Sequence, residues 1–163
     1  LTYLTSGSTT EVQAEREYIQ QSLEETLGLT VELSVAGDSS LFIADRNEGN
    51  YDFFLGGWYS DYNDPLDFLY TNYTDAYGMS FGGYSNTDYD ALADQLVGET
   101  DSDKRLDIYK QMEQILLLDD CAFAPIYYAT KQVLLQNWVK DYRTSSFGAS
   151  AEFIWTYIDG KNQ

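Results

Sequence analysis

A chain of 163 residues with 44% hydrophobic and 16% aromatic side chains carries enough apolar surface to offset the entropy of ordering. That excludes a disordered segment and sizes the chain for a single domain, 1–163, with one core. Nine basic residues against 27 acidic ones leave a formal charge of −18, a field that repels phosphates and makes nucleic acid a poor partner. With no histidine in the chain, the commonest general base and zinc ligand is missing, and so is every Ser-His or Cys-His nucleophile.

The first residues, Leu1 to Leu4, read as a short strand, and the cluster Ser6-Gly7-Ser8-Thr9-Thr10 as the turn and cap of a helix. Ser8 with Glu11, or Thr10 with Gln13, has capping-box spacing; Val12, Ile19, Leu23 and Leu27 recur on one helical face until Gly28 stops it. Leu29 to Val35 alternates with period two, as a half-buried strand does. Leu41 to Arg46 reads as a short helix closed by Asn47, Gly49 and Asn50. Tyr51 to Trp58 reads as an aromatic strand with two late glycines, Gly56 and Gly57, which let another backbone approach. That strand end is the first place to expect a ligand. Ser60 to Asp67 is a polar elbow in which Pro65 opens a helical turn, and Tyr70 to Tyr84 reads as a loop.

Asn86 is placed to cap a helix with Tyr89, Leu92, Ala93, Leu96 and Val97 on its apolar face. Asp101 starts another, with Leu106, Tyr109, Met112 and Leu116 inward, running to about Leu118. Phe123 to Tyr128, Lys131 to Leu135 and Ala151 to Ile158 read as strands. Strands alternating with helices predict an α/β fold with a largely parallel or mixed β-sheet flanked by helices. The longest apolar run, Ile115 to Leu118, is far short of the roughly 18 residues of a membrane span. The chain begins within a strand, without a leader or initiator Met, and is expected to be cut from something longer. The lone Cys121 is expected to be a buried small hydrophobe.

The densest polar cluster is Asp61, Asn63, Asp64 and Asp67, directly after Trp58 and Tyr59. Calcium is disfavoured because Leu66 stands where an EF-hand loop needs glycine. Three readings remain open on the residues alone. Asp61 and Asp64 around Trp58 could hydrolyse a glycosidic bond. One carboxylate at the strand end could pair with an ammonium group while the strand edge and Trp58 hold the rest of a ligand. The plainest reading is that these side chains only cap the turn before Pro65. Arg46 is placed either to meet a ligand carboxylate or to pair with Asp45 or Glu48, and Asn72-Tyr73-Thr74 forms a glycosylation sequon. No metal or cofactor is expected.

Tyr51-Asp52-Phe53 through Gly57-Trp58, then Asp61-Tyr62-Asn63-Asp64-Pro65, resemble the oligopeptide- and dipeptide-binding proteins of bacterial ABC importers, extracellular solute-binding protein family 5. Gly83-Tyr84-Ser85-Asn86 with Tyr89-Asp90-Ala91-Leu92 resembles the GYSN-x-x-YDAL segment of that family. Arg105 to Leu118 ending in Asp119-Asp120, then Ala124-Pro125-Ile126-Tyr127-Tyr128, resembles its P-I-Y-Y region. Trp138-Val139-Lys140-Asp141-Tyr142 resembles its PWVKGY ending, with Asn137 in place of Pro and Asp141 in place of Gly.

The resemblance implies a non-enzymatic, extracytoplasmic receptor, periplasmic or a cell-surface lipoprotein, with a class II periplasmic-binding-protein-like fold. This chain would be its C-terminal lobe, with residues from about 129 to 163 returning toward an absent N-terminal lobe and permease subunits as further partners. The resemblance also implies that Gly57, Trp58 and Tyr59 pair main chain to main chain with a peptide and that Asp61, beside Asn63, holds its α-ammonium. Arg46 would meet a short peptide's carboxylate. Leu55 and Ser39 stand where relatives carry a second arginine and a pocket tryptophan. Oligosaccharide or nickel-complex binding on the same scaffold, or a carbohydrate-active enzyme, are the alternatives.

Overall fold

Thr2–Ser6 (β1) is the central strand of a three-stranded parallel sheet in the computed structural model, with Glu32–Ala36 (β2) on one side and Phe53–Phe54 (β3) on the other. Described are residues 1–7, 9–72, 81–145, 147–148 and 151–161, with the backbone alone at Phe81. The chain divides into two compact units, Leu1–Gly57 with Ser80–Gly83, and Trp58–Met79 with Tyr84–Gln163.

In the first unit, parallel neighbours require crossovers, supplied by Thr10–Leu27 (α1) and Ser39–Glu48 (α2). β1 pairs with β2 from Thr2↔Glu32 to Ser6↔Ala36. Its Tyr3 and Leu4 are fully buried, Tyr3 stacking on Phe53 at 4.6 Å between centroids. Gly7, at φ 93°, turns the strand into α1; a Cβ there would sit 3.1 Å from Val12 Cγ1. The helix cap is Thr9, whose hydroxyl accepts from the Val12 N–H at 3.3 Å. Of the two expected capping boxes, Ser8 lies outside the described residues and Thr10 is already helical. Gly28 ends α1 as predicted, at φ 66° with its N–H on Glu24 O. The predicted face is only half covered: Val12, Ile19 and Leu23 are half-buried and Leu27 is exposed. α2 is longer than predicted because Asp38 accepts from the Ser40 and Leu41 N–H groups and so starts it earlier.

The predicted strand Tyr51 to Trp58 contracts to two residues, paired as Tyr3↔Phe53 and Leu4↔Phe54. Among the described residues its one partner is β1, which is lost to the Gly7 turn, and glycines 56 and 57 carry the largest entropic cost of ordering.

In the second unit, Leu66–Leu69 (α3), Thr87–Leu96 (α4) and Ser102–Glu113 (α5) build the core, the last continuing as a π-helix over Gln114–Asp119. The core is Leu69, Tyr89, Ala93, Leu96, Ile108, Tyr109, Met112 and Leu116. Asn86 and Asp101 cap α4 and α5 as expected, each side chain accepting two backbone N–H bonds. Val97 is exposed because α4 has already ended, and Leu106 is exposed because the inward stripe of α5 centres on Ile108 and Tyr109. Tyr84 Oη and Asn86 Nδ2 both donate to Asp120 Oδ2 at 2.7 Å, tying the start of α4 to the end of the π-helix.

The strands predicted over Phe123 to Tyr128 and Lys131 to Leu135 do not form; Tyr128 is 92% and Leu134 100% exposed. An apolar alternation becomes a strand only where a neighbouring edge accepts its hydrogen bonds, and among the described residues none does. The predicted strand Ala151 to Ile158 shortens to Tyr157–Ile158 (β5), antiparallel to Val139–Lys140 (β4), with an isolated bridge Arg143↔Glu152. Cys121 is exposed rather than buried, at φ 49° where the chain leaves the π-helix. The expected parallel or mixed sheet is therefore a parallel sheet and a separate antiparallel pair within an α/β fold.

Tyr89 carries a buried polar contact in the second core, its hydroxyl donating to Leu69 O at 2.6 Å. Tyr89→Phe keeps the ring and orphans that carbonyl, so urea denaturation should show a loss of about 1 to 2 kcal/mol with an unchanged m-value.

Candidate functional site

Pro65 cannot donate a backbone hydrogen bond, and the chain starts α3 directly after it. Asp64 Oδ1 accepts from the Leu66 N–H at 2.9 Å, closing the elbow. The first turn of α3 then carries Asp67 back beneath the preceding segment. Its Oδ2 accepts from Trp58 Nε1 at 3.0 Å and from the Asp61 backbone N–H at 2.9 Å. Asp67 is only 6% exposed, so this one oxygen joins an indole and a main-chain group inside the protein.

The tether fixes one edge of the half-buried Trp58 and the backbone of Asp61. The Asp61 side chain is exposed, as are Gly57, Asn63 and Tyr59, the last at 67%. Among the described residues, the main chains of Gly57 and Tyr59 form no backbone–backbone hydrogen bond, whereas Ser60 O accepts from the Gly148 N–H at 2.8 Å. From Tyr59 on, the segment thus presents an open main chain followed two residues later by a solvated carboxylate. Lys131 Nζ stands 5.1 Å from the centroid of the Tyr59 ring.

Asp64 points the other way. Its Oδ1 also accepts from Tyr109 Oη at 2.5 Å, and its Oδ2 accepts from Arg105 Nη2 at 2.7 Å. Arg105 further donates to Leu96 O and Glu99 O, and to the Tyr109 hydroxyl. Burial raises the Asp64 pKa, but the hydrogen bonds from Tyr109, Leu66 and Arg105, with the guanidinium charge, outweigh it and hold the carboxyl below its ordinary value. Burial and the neighbouring carboxylate push the Tyr109 phenol up to about 12. This counts against Asp61 and Asp64 as glycosidase carboxylates: such a pair needs one acid with a raised pKa and a second carboxylate free to reach the sugar, and Asp64 has a lowered pKa and both oxygens bound within the protein.

Gly57 closes the first unit, which also holds Arg46, Leu55 and Ser39; Trp58, Tyr59, Asp61 and Asn63 belong to the second. Arg46 lies in the last turn of α2, where its charge pulls down the Tyr51 phenol that burial raises. Ser39 is the first residue of α2, and Leu55 is half-buried just after β3. Among the described residues, no group of three acidic or cysteine side chains is placed to hold a metal. Asn72 of the sequon is buried, and its Tyr73 and Thr74 lie outside the described residues. The sequence reading missed Asp67 as a tether and Arg105 as an anchor. Arg105 was findable: it sits at helical spacing before Ile108, Tyr109 and Met112, a charge on an inward stripe. Asp67 was not, since a carboxylate in the first turn of a helix ordinarily faces water.

Two outcomes follow from this geometry. Asp67→Ala removes both bonds to one oxygen, so NMR hydrogen exchange at Trp58 Nε1–H should accelerate at least tenfold while that of Trp138 and Trp155 stays unchanged. For Asp64, folding lowers the pKa, so its contribution is complete above the unfolded carboxylate value and drains away as pH falls through the depressed folded value. Asp64→Asn should therefore lower stability by about 1 to 2 kcal/mol at pH 7, with partial exposure limiting the loss. Melting curves at successively lower pH should show the two proteins converging.

Residues 1–80 match the family described as bacterial extracellular solute-binding proteins, family 5 Middle. The chain is 30% identical over 119 residues to the periplasmic oligopeptide-binding protein OppA of Escherichia coli, covering 73% of this chain and 21% of that protein. It is 32% identical over 134 residues to the dipeptide-binding protein DppE of Bacillus subtilis, covering 82% and 24%. Among solved structures, the substrate-binding domain of an oligopeptide ABC transporter from Bacillus anthracis superposes with a TM-score of 0.80 at 26% identity, covering 97% of this chain and 31% of that one. Listeria monocytogenes OppA bound to peptide gives 0.76 at 32% identity, covering 97% and 30%. The chain thus spans about a quarter or less of these curated relatives, and its α/β fold is that of the class II-like periplasmic peptide-binding proteins.

Proposed function

We propose that this chain, part of a family 5 bacterial extracellular solute-binding protein, is the C-terminal lobe of a peptide receptor serving an ABC importer. It is a binding protein and not an enzyme. Gly57, Trp58 and Tyr59 pair main chain to main chain with an extended peptide, and the Asp61 carboxylate holds the peptide's α-ammonium, with Asn63 at the rim. Arg46 meets the carboxylate of a short peptide. An N-terminal lobe and permease subunits are the protein partners, and the receptor works outside the cytoplasm.

The observation that carries this reading is the Asp67 tether, which fixes the backbone of Asp61 while its side chain is exposed, two residues after the open main chain of Tyr59. Main-chain pairing is indifferent to side-chain identity, which suits cargo of varied sequence. An α-ammonium, with a pKa near 8, is charged at neutral pH and gives such cargo a fixed point of attachment. The spent state of Asp64 leaves Asp61 as the carboxylate of the elbow suited to that role.

Closure of a second lobe would desolvate the Asp61 pair, and removing one member then leaves the other buried and unpaired. Asp61→Asn in the full-length receptor should cost about 2 to 5 kcal/mol of binding. N-acetylation of the peptide removes the same charge from the other side, so the two changes together should cost far less than their sum. Calorimetry with free and acetylated forms of one peptide checks this. Additive losses, or undiminished binding of the acetylated peptide, would reduce Asp61 to a turn cap.

A further inference from the structure

Cations are scarce in this chain, with nine Lys and Arg against 27 acids, and the elbow gathers Asp61, Asp64 and Asp67 within seven residues. Arg105 is committed to Asp64 on the inner side. On the outer side the exposed Lys131 stands over the exposed ring of Tyr59, 5.1 Å from its centroid. Among the described residues, no carboxylate pairs with this ammonium. The aromatic face attracts the cation but offers no hydrogen-bond acceptor in the ordinary sense, so the three N–H donors of the ammonium are left for something else.

We propose that Lys131 is a specificity-determining residue that selects ligands carrying a carboxylate close to their N-terminal end. This rests on the peptide-receptor reading above. Tyr59 precedes Asp61 by two residues, about 7 Å along an extended chain. With the α-ammonium on Asp61, the ligand groups that come alongside Tyr59 belong to the second or third residue. There Lys131 meets an acidic side chain, or the terminal carboxylate of a peptide that ends at that point, and repels lysine or arginine. Tyr59 is a positioning residue for this contact, confining a flexible side chain that would otherwise lose more rotamer freedom on pairing.

The test is calorimetry on the full-length receptor and its Lys131→Met and Lys131→Arg variants. The probes are Ala-Glu-Ala-Ala, Ala-Gln-Ala-Ala and Ala-Lys-Ala-Ala, the same set with the variable residue third, and Ala-Ala and Ala-Ala-Ala as free acids and C-terminal amides. The unmodified receptor should favour Glu over Gln at one of the two positions about three- to fivefold, the range of a partly exposed ion pair, and more weakly at high salt. Lys131→Met should bring that ratio to near one, and Lys131→Arg should restore it. If Lys131→Met instead abolishes only the acid-over-amide preference of the short peptides, the selected carboxylate is terminal, and the inference stands in that form. Peptides that bind with no preference of either kind, or with preferences that Lys131→Met leaves intact, overturn the role of Lys131. A receptor that binds none of the peptides overturns the underlying reading instead.

Discussion

One carboxylate oxygen organises the second unit's exposed edge. Asp67 Oδ2 receives the Trp58 indole and the Asp61 main chain within 3.0 Å, in a side chain almost removed from water. Burying a carboxylate is costly unless its oxygens are hydrogen-bonded, so both donors are held in place by the same requirement. Loss of either donor leaves the anion under-satisfied. The indole orientation and the backbone direction at Asp61 are therefore coupled, although Trp58 and Asp67 lie nine positions apart in the sequence. A flexible polar turn would let Trp58 and Asp61 sample many arrangements; the tether makes them a single preorganised feature.

That tether needs a rigid base, which the neighbouring carboxylate provides. Asp64 joins the elbow to α5 through Arg105 and Tyr109, and Arg105 in turn holds Leu96 O at the end of α4 and Glu99 O in the turn that follows. The two aspartates flanking Pro65 and Leu66 thus do different work, set by direction alone. Asp64 faces a guanidinium and a phenol and ties the elbow to the helical core. Asp67 faces two neutral N–H groups and shapes the exposed edge. Neither is free to act on a ligand, and the polar cluster resolves into two structural anions and one exposed carboxylate.

The sequence was most informative where a local rule and burial agree. Asn86 and Asp101 are good caps followed by apolar residues at helical spacing, and both helices form there with Tyr89, Ala93, Leu96, Tyr109, Met112 and Leu116 buried. It was least informative where structure depends on a partner elsewhere. The alternations at Phe123 to Tyr128 and Lys131 to Leu135 carry strand propensity but find no edge among the described residues, and the aromatic run from Tyr51 keeps only the two residues that β1 can reach. In the site, the motif order around Trp58, Asp61 and Pro65 points to the segment that the Asp67 tether holds. What it could not reveal is that Asp67 turns inward, because that follows from the path of the chain around Pro65 rather than from any spacing.

The charge of −18 invites a simpler account, in which an acidic surface attracts any cationic peptide. Screening argues against assigning contact energy to it, since at 0.1 M salt a solvated charge is felt over only about 10 Å. Most of the 27 acids therefore shape encounter rates, and discrimination in the bound state falls to charges that a ligand touches. An anchor of that kind has to be an anion not already spent within the protein, at a fixed backbone position, beside a surface that excludes water. In the elbow, Asp64 fails the first condition through Arg105, and Asp67 fails it through Trp58 and the Asp61 N–H. Asp61 meets the second through the tether that spends Asp67, so the same bond that withdraws one carboxylate from the surface is what fixes the other upon it.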